Sequence, residues 1–166
     1  MAKINIVLVE PEIPQNTGNV ARTCSVTGAA LHIVRPMGFT IDSAKLKRAG
    51  LDYWDKLEIH YYDSLTDFMD VNGQKPLVFF TAKSDRLYTE CDWTDEAWLV
   101  FGKESVGLPD DLLFANVGRT ARIPMIGDSR CLNMSNSVAV AVYEVLRSRG
   151  FAGMITKGGR IRDPNR

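Results

Sequence analysis

Apolar positions along this 166-residue chain fall into two alternating patterns. Short continuous runs read as strands: INIVLV (4–9), LHIV (31–34), EIHYY (58–62), PLVFFTA (76–82), WLVFG (98–102) and TARIPM (120–125). Several lack the in–out alternation of a sheet with one wet face, which predicts strands buried on both faces. Between them lie helix-like segments at about 17–27, 43–49, 64–71, 109–115 and 136–149. Strands alternating with helices predict an α/β fold, a mainly parallel sheet flanked by helices.

The last helix carries two apolar stripes. Val138, Ala141, Val142, Val145 and Leu146 follow i, i+3, i+4, i+7, i+8, while Val140 and Tyr143 lie on another side. Such a helix is either wedged between two layers of its own chain or packs one stripe on the sheet and the other on a second subunit. The second arrangement, a homodimer, is the one preferred.

Composition narrows the picture. Apolar residues make up 45% and charged residues 24%, as in a soluble globular protein. Residues 1–155 read as one domain and 156–166, TKGGRIRDPNR, as a loose basic tail. No apolar run approaches the roughly 20 residues of a membrane span, and the run in MAKINIVLVE is too short for a signal peptide. The expected location is therefore the cytoplasm, away from any membrane. Cys24, Cys91 and Cys131 are odd in number and widely spaced, which fits neither a disulfide framework nor a zinc site. His32 and His60 lie far from any cysteine pair, so no metal is expected.

The net charge is zero but unevenly spread. Asp85–Asp111 holds eight acids and two bases, a net of −6; Arg147–Arg166 holds six bases and one acid, a net of +5. Each run reads either as a solvated face or, for the basic one with KLKR (45–48), as an edge that meets phosphate.

Three polar clusters fall where strands end, the place where open parallel sheets bind ligands. After the first strand comes EPEIPQNTGNVAR (10–22): Pro11 and Pro14 stiffen the connection, Asn16, Thr17, Gly18 and Asn19 supply turn and cap groups, and Arg22 rides on the helix that follows. After WLVF comes GKESVGLP (102–109), in which Gly102 and Gly107 either bring backbone amides close to a ligand or make a tight turn around Glu104. Ahead of the last helix stands SRCLNMSNS (129–137). Capping uses one of Ser135, Asn136 or Ser137, and the surplus polar groups, with Arg130 and Asn133, are free to meet a ligand. No G-x-G-x-x-G follows the first strand, FGKES is not a P-loop, and no G-x-S-x-G occurs.

Taken in order, IVLVEPEIPQNTGNVAR, GFT, RAGLDYW, FGKESVGLP and RIPM…SRCLNMSNSVAVAVYE resemble the motifs of the SPOUT superfamily of RNA methyltransferases over nearly the whole chain. The chain is most similar to the minimal subfamily that methylates the ribose 2′-hydroxyl of the tRNA wobble nucleotide, a cytidine or modified uridine. The resemblance implies a deep trefoil knot at the C-terminal end of the sheet. It implies S-adenosylmethionine as cofactor and S-adenosylhomocysteine as product, no metal, the tRNA anticodon stem-loop as partner, and a homodimer whose active sites use both subunits. Cofactor contacts are implied, mostly through backbone, at Phe80, Thr81, Gly102, Ile123, Cys131, Leu132 and Asn133. The family often has serine where Cys131 stands. Asn16, Arg22, Glu104, Asn133, Ser135 and Asn136 match polar active-site positions, with Arg22 expected to reach over the strand ends toward the reacting ribose or its phosphate. Two other readings stay open: 2′-O-methylation of another RNA, ribosomal or at another tRNA site, and a non-catalytic RNA-binding protein on the same fold.

Overall fold

The structure, a computed structural model, describes residues 3–40, 54–93, 96–127 and 131–159. The helix expected at 43–49, the KLKR run, most of RAGLDYW, Arg130 and the end of the tail lie outside the described residues.

The elements run β1 (Ile4–Val9), α1 (Pro14–Thr27), β2 (Ala30–Val34), β3 (Ile59–Tyr62), α2 (Leu65–Asn72), β4 (Leu77–Phe80), β5 (Ala97–Phe101), α3 (Asp110–Ala115), β6 (Thr120–Ala121) and α4 (Met134–Ser148). The sheet has the order β3-β2-β1-β5-β4-β6, and every pairing is parallel. Val7 sits opposite His32 on one side and Val100 on the other. The chain leaves β1 toward β2 on one side and leaves β5 toward β6, beyond β4, on the other. The crevice between loops that depart in opposite directions therefore lies beyond the ends of β1 and β5.

Both sheet faces are covered, which explains the continuous apolar runs. Ile6, Leu8, Leu31, Ile33, Leu99 and Phe101 pack against α1 and α4, through Val20, Ala21 and Cys24 of the first and Val138, Ala141, Val142 and Val145 of the second. The alternate residues Val7, Val9, Val34, Trp98 and Val100 face Phe68 of α2 and Leu113 of α3. Each fully buried side chain of this size contributes about 1.5–3 kcal/mol. The second stripe of α4 stays at the surface, with Val140 36% and Tyr143 46% exposed.

Three boundaries differ from expectation. Helix α1 starts at Pro14 rather than near residue 17, because a proline at the first helical position has its φ preset and its missing N–H is not needed there. Asn16 and Thr17 therefore lie buried inside the helix and do not cap it. The strand expected at 120–125 shrinks to Thr120–Ala121: Arg122 still makes a bridge to Leu87, but Pro124 has no N–H to continue a ladder. Helix α4 is capped by Asn133, and not by Ser135, Asn136 or Ser137.

One polar group lies deep in the α2/α3 side of the sheet. His32 is only 4% exposed. Its Nε2 lies 3.2 Å from Asn5 Oδ1 and its Nδ1 2.9 Å from the Tyr62 hydroxyl, so the neutral ring donates to Asn5 and accepts from Tyr62. Burial, then the nearby His60 and Lys3, push its pKa down to about 4. An unfolded histidine titrates near 6.5, so between these values the unfolded chain binds more protons. Stability is then full above about pH 6.5 and declines as the pH falls toward 4, by up to about 3 kcal/mol. Calorimetric melting across this range should show that decline, and His32→Gln, which keeps both hydrogen-bonding neighbours without the titration, should flatten it.

Candidate active site

A cleft of about 450 Å³ opens at the ends of β4 and β5, bounded by the start of α1, the 102–108 loop, the segment after β6 and the start of α4. That volume is in the range of small-molecule sites. Its floor includes Phe80 and Phe101, whose rings stack at 4.7 Å.

The 102–108 loop is a backbone turn closed on itself. The Gly107 amide donates to the Lys103 carbonyl at 2.9 Å. A Cβ at Gly102 would lie 2.2 Å from the Gly107 carbonyl carbon and 2.3 Å from the Leu108 nitrogen, so only glycine permits the closure. Gly107 has φ +77°, the left-handed region that other residues enter at a cost.

This loop is clasped to the start of α1. The Ile13 cap position offers no side-chain acceptor, and the first turn holds no acid. Glu104 supplies both from across the sheet. Its Oε2 accepts from the Glu12 amide at 2.8 Å, and its Oε1 accepts from the Ile13 amide at 3.3 Å and from Asn16 Nδ2 at 3.0 Å. A carboxylate at a helix N-terminus also meets the positive end of the helix dipole. In return Glu12 accepts from the Ser105 amide and hydroxyl, each at 2.9 Å. Glu10 pairs with Lys103 Nζ at 2.6 Å.

The same network reaches α4. Asn16 Oδ1 accepts from Asn133 Nδ2 at 3.0 Å. Asn133 Oδ1 in turn caps α4, accepting from the Ser135 amide at 2.9 Å, the Ser135 hydroxyl at 2.7 Å and the Asn136 amide at 3.3 Å. Four side chains from three distant segments thus form one line: Glu104, Asn16, Asn133 and Ser135.

Of the residues singled out in the sequence, Asn16, Phe80, Thr81, Gly102, Glu104, Ile123, Cys131, Leu132 and Asn133 line the cleft. Ser135 is buried beneath the cap and Asn136 is exposed outside the lining, while Ser137 does line it. Arg22 is exposed and does not line the cleft of its own chain. With α1 starting at Pro14, Arg22 lies about 12 Å along the helix from its first residue. Two bases of the C-terminal run have local partners: Arg147 pairs with the buried Glu144 at 2.7 Å, and Arg149 Nε donates to the Trp93 carbonyl at 2.6 Å. The Arg147 guanidinium holds the Glu144 carboxyl below the usual carboxylate range. Among the described residues, no group of three or more histidine, cysteine or acidic side chains is arranged to hold a metal ion, and no helix is long and apolar enough to cross a membrane.

Glu10, Glu12 and Ser105 were missed by sequence reasoning. Glu12 and Ser105 are separated by 93 positions, and nothing local marks them as partners.

Residues 3–143 match the SpoU rRNA Methylase family. The tRNA (cytidine(34)-2′-O)-methyltransferase of Escherichia coli K12 is 41% identical over 155 residues, covering 93% of this chain and 99% of its own length. A solved structure described as giving structural insights into the 2-OH methylation of C/U34 on tRNA superposes with a TM-score of 0.82 at 42% identity, over 90% of this chain and 98% of that one. An AdoMet-bound rRNA methyltransferase from Sinorhizobium meliloti shares the fold, with a TM-score of 0.77 at 23% identity over 88% of this chain and 56% of that one.

Adding one methyl at the narrowest point of the loop should open the cleft wall. Gly102→Ala is expected to weaken S-adenosylhomocysteine binding at least about tenfold in calorimetry, whereas Cys131→Ser, at an exposed lining position, should stay within about twofold.

Proposed function

Because this chain belongs to the SpoU rRNA methylase family, we propose that it transfers a methyl group from S-adenosylmethionine to the ribose 2′-hydroxyl of the wobble pyrimidine, position 34, of tRNA. The observation that carries this reading is the convergence of the three motif-bearing loops on one cleft beside the switch point of the sheet. The choice of substrate is supported by relatives matched over almost their whole length, among them the Escherichia coli enzyme. A homodimer acting on the anticodon stem-loop, in the cytoplasm, belongs to the same reading. So does the deep trefoil knot at the C-terminal end of the sheet.

The cleft suits the cofactor. Its walls combine apolar side chains, such as Ile123 and Leu132, with backbone brought to the surface at Gly102, where a Cβ would have no room. Phe80, Thr81, Gly102, Ile123, Cys131, Leu132 and Asn133 are the residues assigned to hold it. When bound, S-adenosylmethionine supplies a methyl group already activated on a positively charged sulfur. The chain's own task is then to orient and to balance charge. Orientation supplies roughly 7–11 kcal/mol, against about 10²–10⁴-fold for a general base, so positioning is the larger contribution.

Glu104, Asn16, Asn133 and Ser135 hold the walls in register through their hydrogen bonds. Asn136, exposed at the start of α4, is assigned to contact RNA. Arg22 stands outside its own cleft and is assigned to the cleft of the second subunit, which the exposed Val140 and Tyr143 on α4 would help to join. A guanidinium is a hydrogen-bond donor and not a general base; its contribution is electrostatic, at the developing negative charge or the adjacent phosphate.

Mass spectrometry of nucleosides tests the reading: tRNA from a strain lacking this gene, incubated with protein and S-adenosylmethionine, should gain a 2′-O-methylated pyrimidine at position 34. Methylation elsewhere in tRNA, or only of ribosomal RNA, overturns the substrate assignment. Arg22→Ala should keep its melting temperature and cofactor affinity while the transfer rate falls about 10²–10³-fold. A loss of only a few-fold at saturating tRNA removes Arg22 from the reaction.

A further inference from the structure

We propose that Glu12 is a positioning residue of the cofactor wall: it anchors the tip of the 102–108 loop, at Ser105, to the entry of α1, and so sets the part of the cleft that this loop forms. The proposal rests on the reading of the cleft as the cofactor site.

The tip of the loop has little hold of its own. Ser105 is exposed and Val106 is 75% exposed, and the internal Gly107-to-Lys103 hydrogen bond closes the turn without tying its outer end to the body of the protein. Glu12 takes both donors that Ser105 offers, the amide on Oε2 and the hydroxyl on Oε1. Two bonds to two oxygens of one carboxylate fix orientation as well as distance. The Ser105 hydroxyl and amide, with Lys103 nearby, hold the Glu12 carboxyl below the usual range, so it is charged throughout the neutral pH region.

Glu12 is itself braced. Its amide is held by Glu104 at 2.8 Å. Behind it, the Gly38 amide donates to the Pro11 carbonyl at 3.0 Å, and a Cβ at Gly38 would come within 3.0 Å of the Glu12 Cα, so the chain after β2 lies directly against it. One rung below, Glu10 holds Lys103 from a backbone with φ 51°, a conformation a non-glycine residue keeps only when its surroundings impose it. Ser105, Lys103 and Val106 line the cleft, whereas Glu12 does not. Glu12 thus acts on the cofactor through the loop and not by contact.

The test is calorimetric titration with S-adenosylhomocysteine, together with KM for S-adenosylmethionine, kcat and melting temperature. Glu12→Ala should weaken binding at least about tenfold and raise KM in parallel, while kcat at saturating cofactor changes less than about threefold. Glu12→Gln should recover most of the affinity, because its amide oxygen accepts from the Ser105 amide and the hydroxyl can turn to accept from its NH₂ group. Ser105→Ala, which keeps the amide bond, should cost about three- to fivefold at an unchanged melting temperature. Combined with Glu12→Ala it should add nothing further. A wild type that binds no S-adenosylhomocysteine overturns the cofactor reading and this proposal with it. If the wild type binds, wild-type affinity in Ser105→Ala and Glu12→Ala overturns this proposal alone. A Glu12→Ala protein that loses melting temperature and kcat with KM unchanged shows a merely structural role and overturns it too.

Discussion

The first turn of α1 has no acceptor of its own, and the carboxylate of Glu104 provides one from 88 to 92 positions away. Much of the cleft follows from that arrangement. The sheet places β1 beside β5, so the loops that leave these strands meet. Glu104 then satisfies the Glu12 and Ile13 amides, which the helix cannot bond internally, and it holds Asn16 at the same time. The loop cannot shift without exposing those donors, and the helix cannot shift without stranding the carboxylate. Through Asn16 and Asn133 the constraint extends to the cap of α4, so three walls of the cleft share one hydrogen-bonded line.

A site held in this way suits a reaction in which placement matters more than proton transfer. The polar groups that line the cleft are largely occupied in holding one another, and neither histidine belongs to it. Arg22, the cation among the described active-site residues singled out in the sequence, is exposed and lies outside the cleft of its own chain. In the proposed homodimer, the walls would supply placement and Arg22 of a second subunit would supply charge, with the exposed stripe of α4, Val140 and Tyr143, as the proposed contact.

The sheet was legible because burial on both faces removes polar residues from strands: the runs at 4–9 and 31–34 differ from the observed strands by at most one residue. Helix α2, expected at 64–71, begins at Leu65 because Ser64 caps it, accepting from the Asp67 amide. Boundaries set by a single proline were misjudged, although Pro14 at a first helical position and Pro124 in a strand pattern both carry the signal. The cap of α4 was shifted because four short polar residues compete between 133 and 137, and the choice of Asn133 depends on Asn16, which is 117 positions away. Lining residues such as Phe80, Thr81 and Leu132 were reached through family resemblance, whereas Gly102 also stood out by its place in the loop after β5. The pairings that hold them, Glu12 with Ser105 and Glu10 with Lys103, have no local pattern because they arise only when β1 and β5 lie side by side.

The most direct test of this account is a calorimetric titration of Glu104→Ala with S-adenosylhomocysteine. If Glu104 holds the walls of the cleft together, affinity should fall at least about tenfold, because the loop and the start of α1 lose their common anchor. Wild-type affinity in this variant, accompanied by a loss of turnover, would contradict the account: Glu104 would then act on the reacting atoms, and the cleft would keep its shape without it.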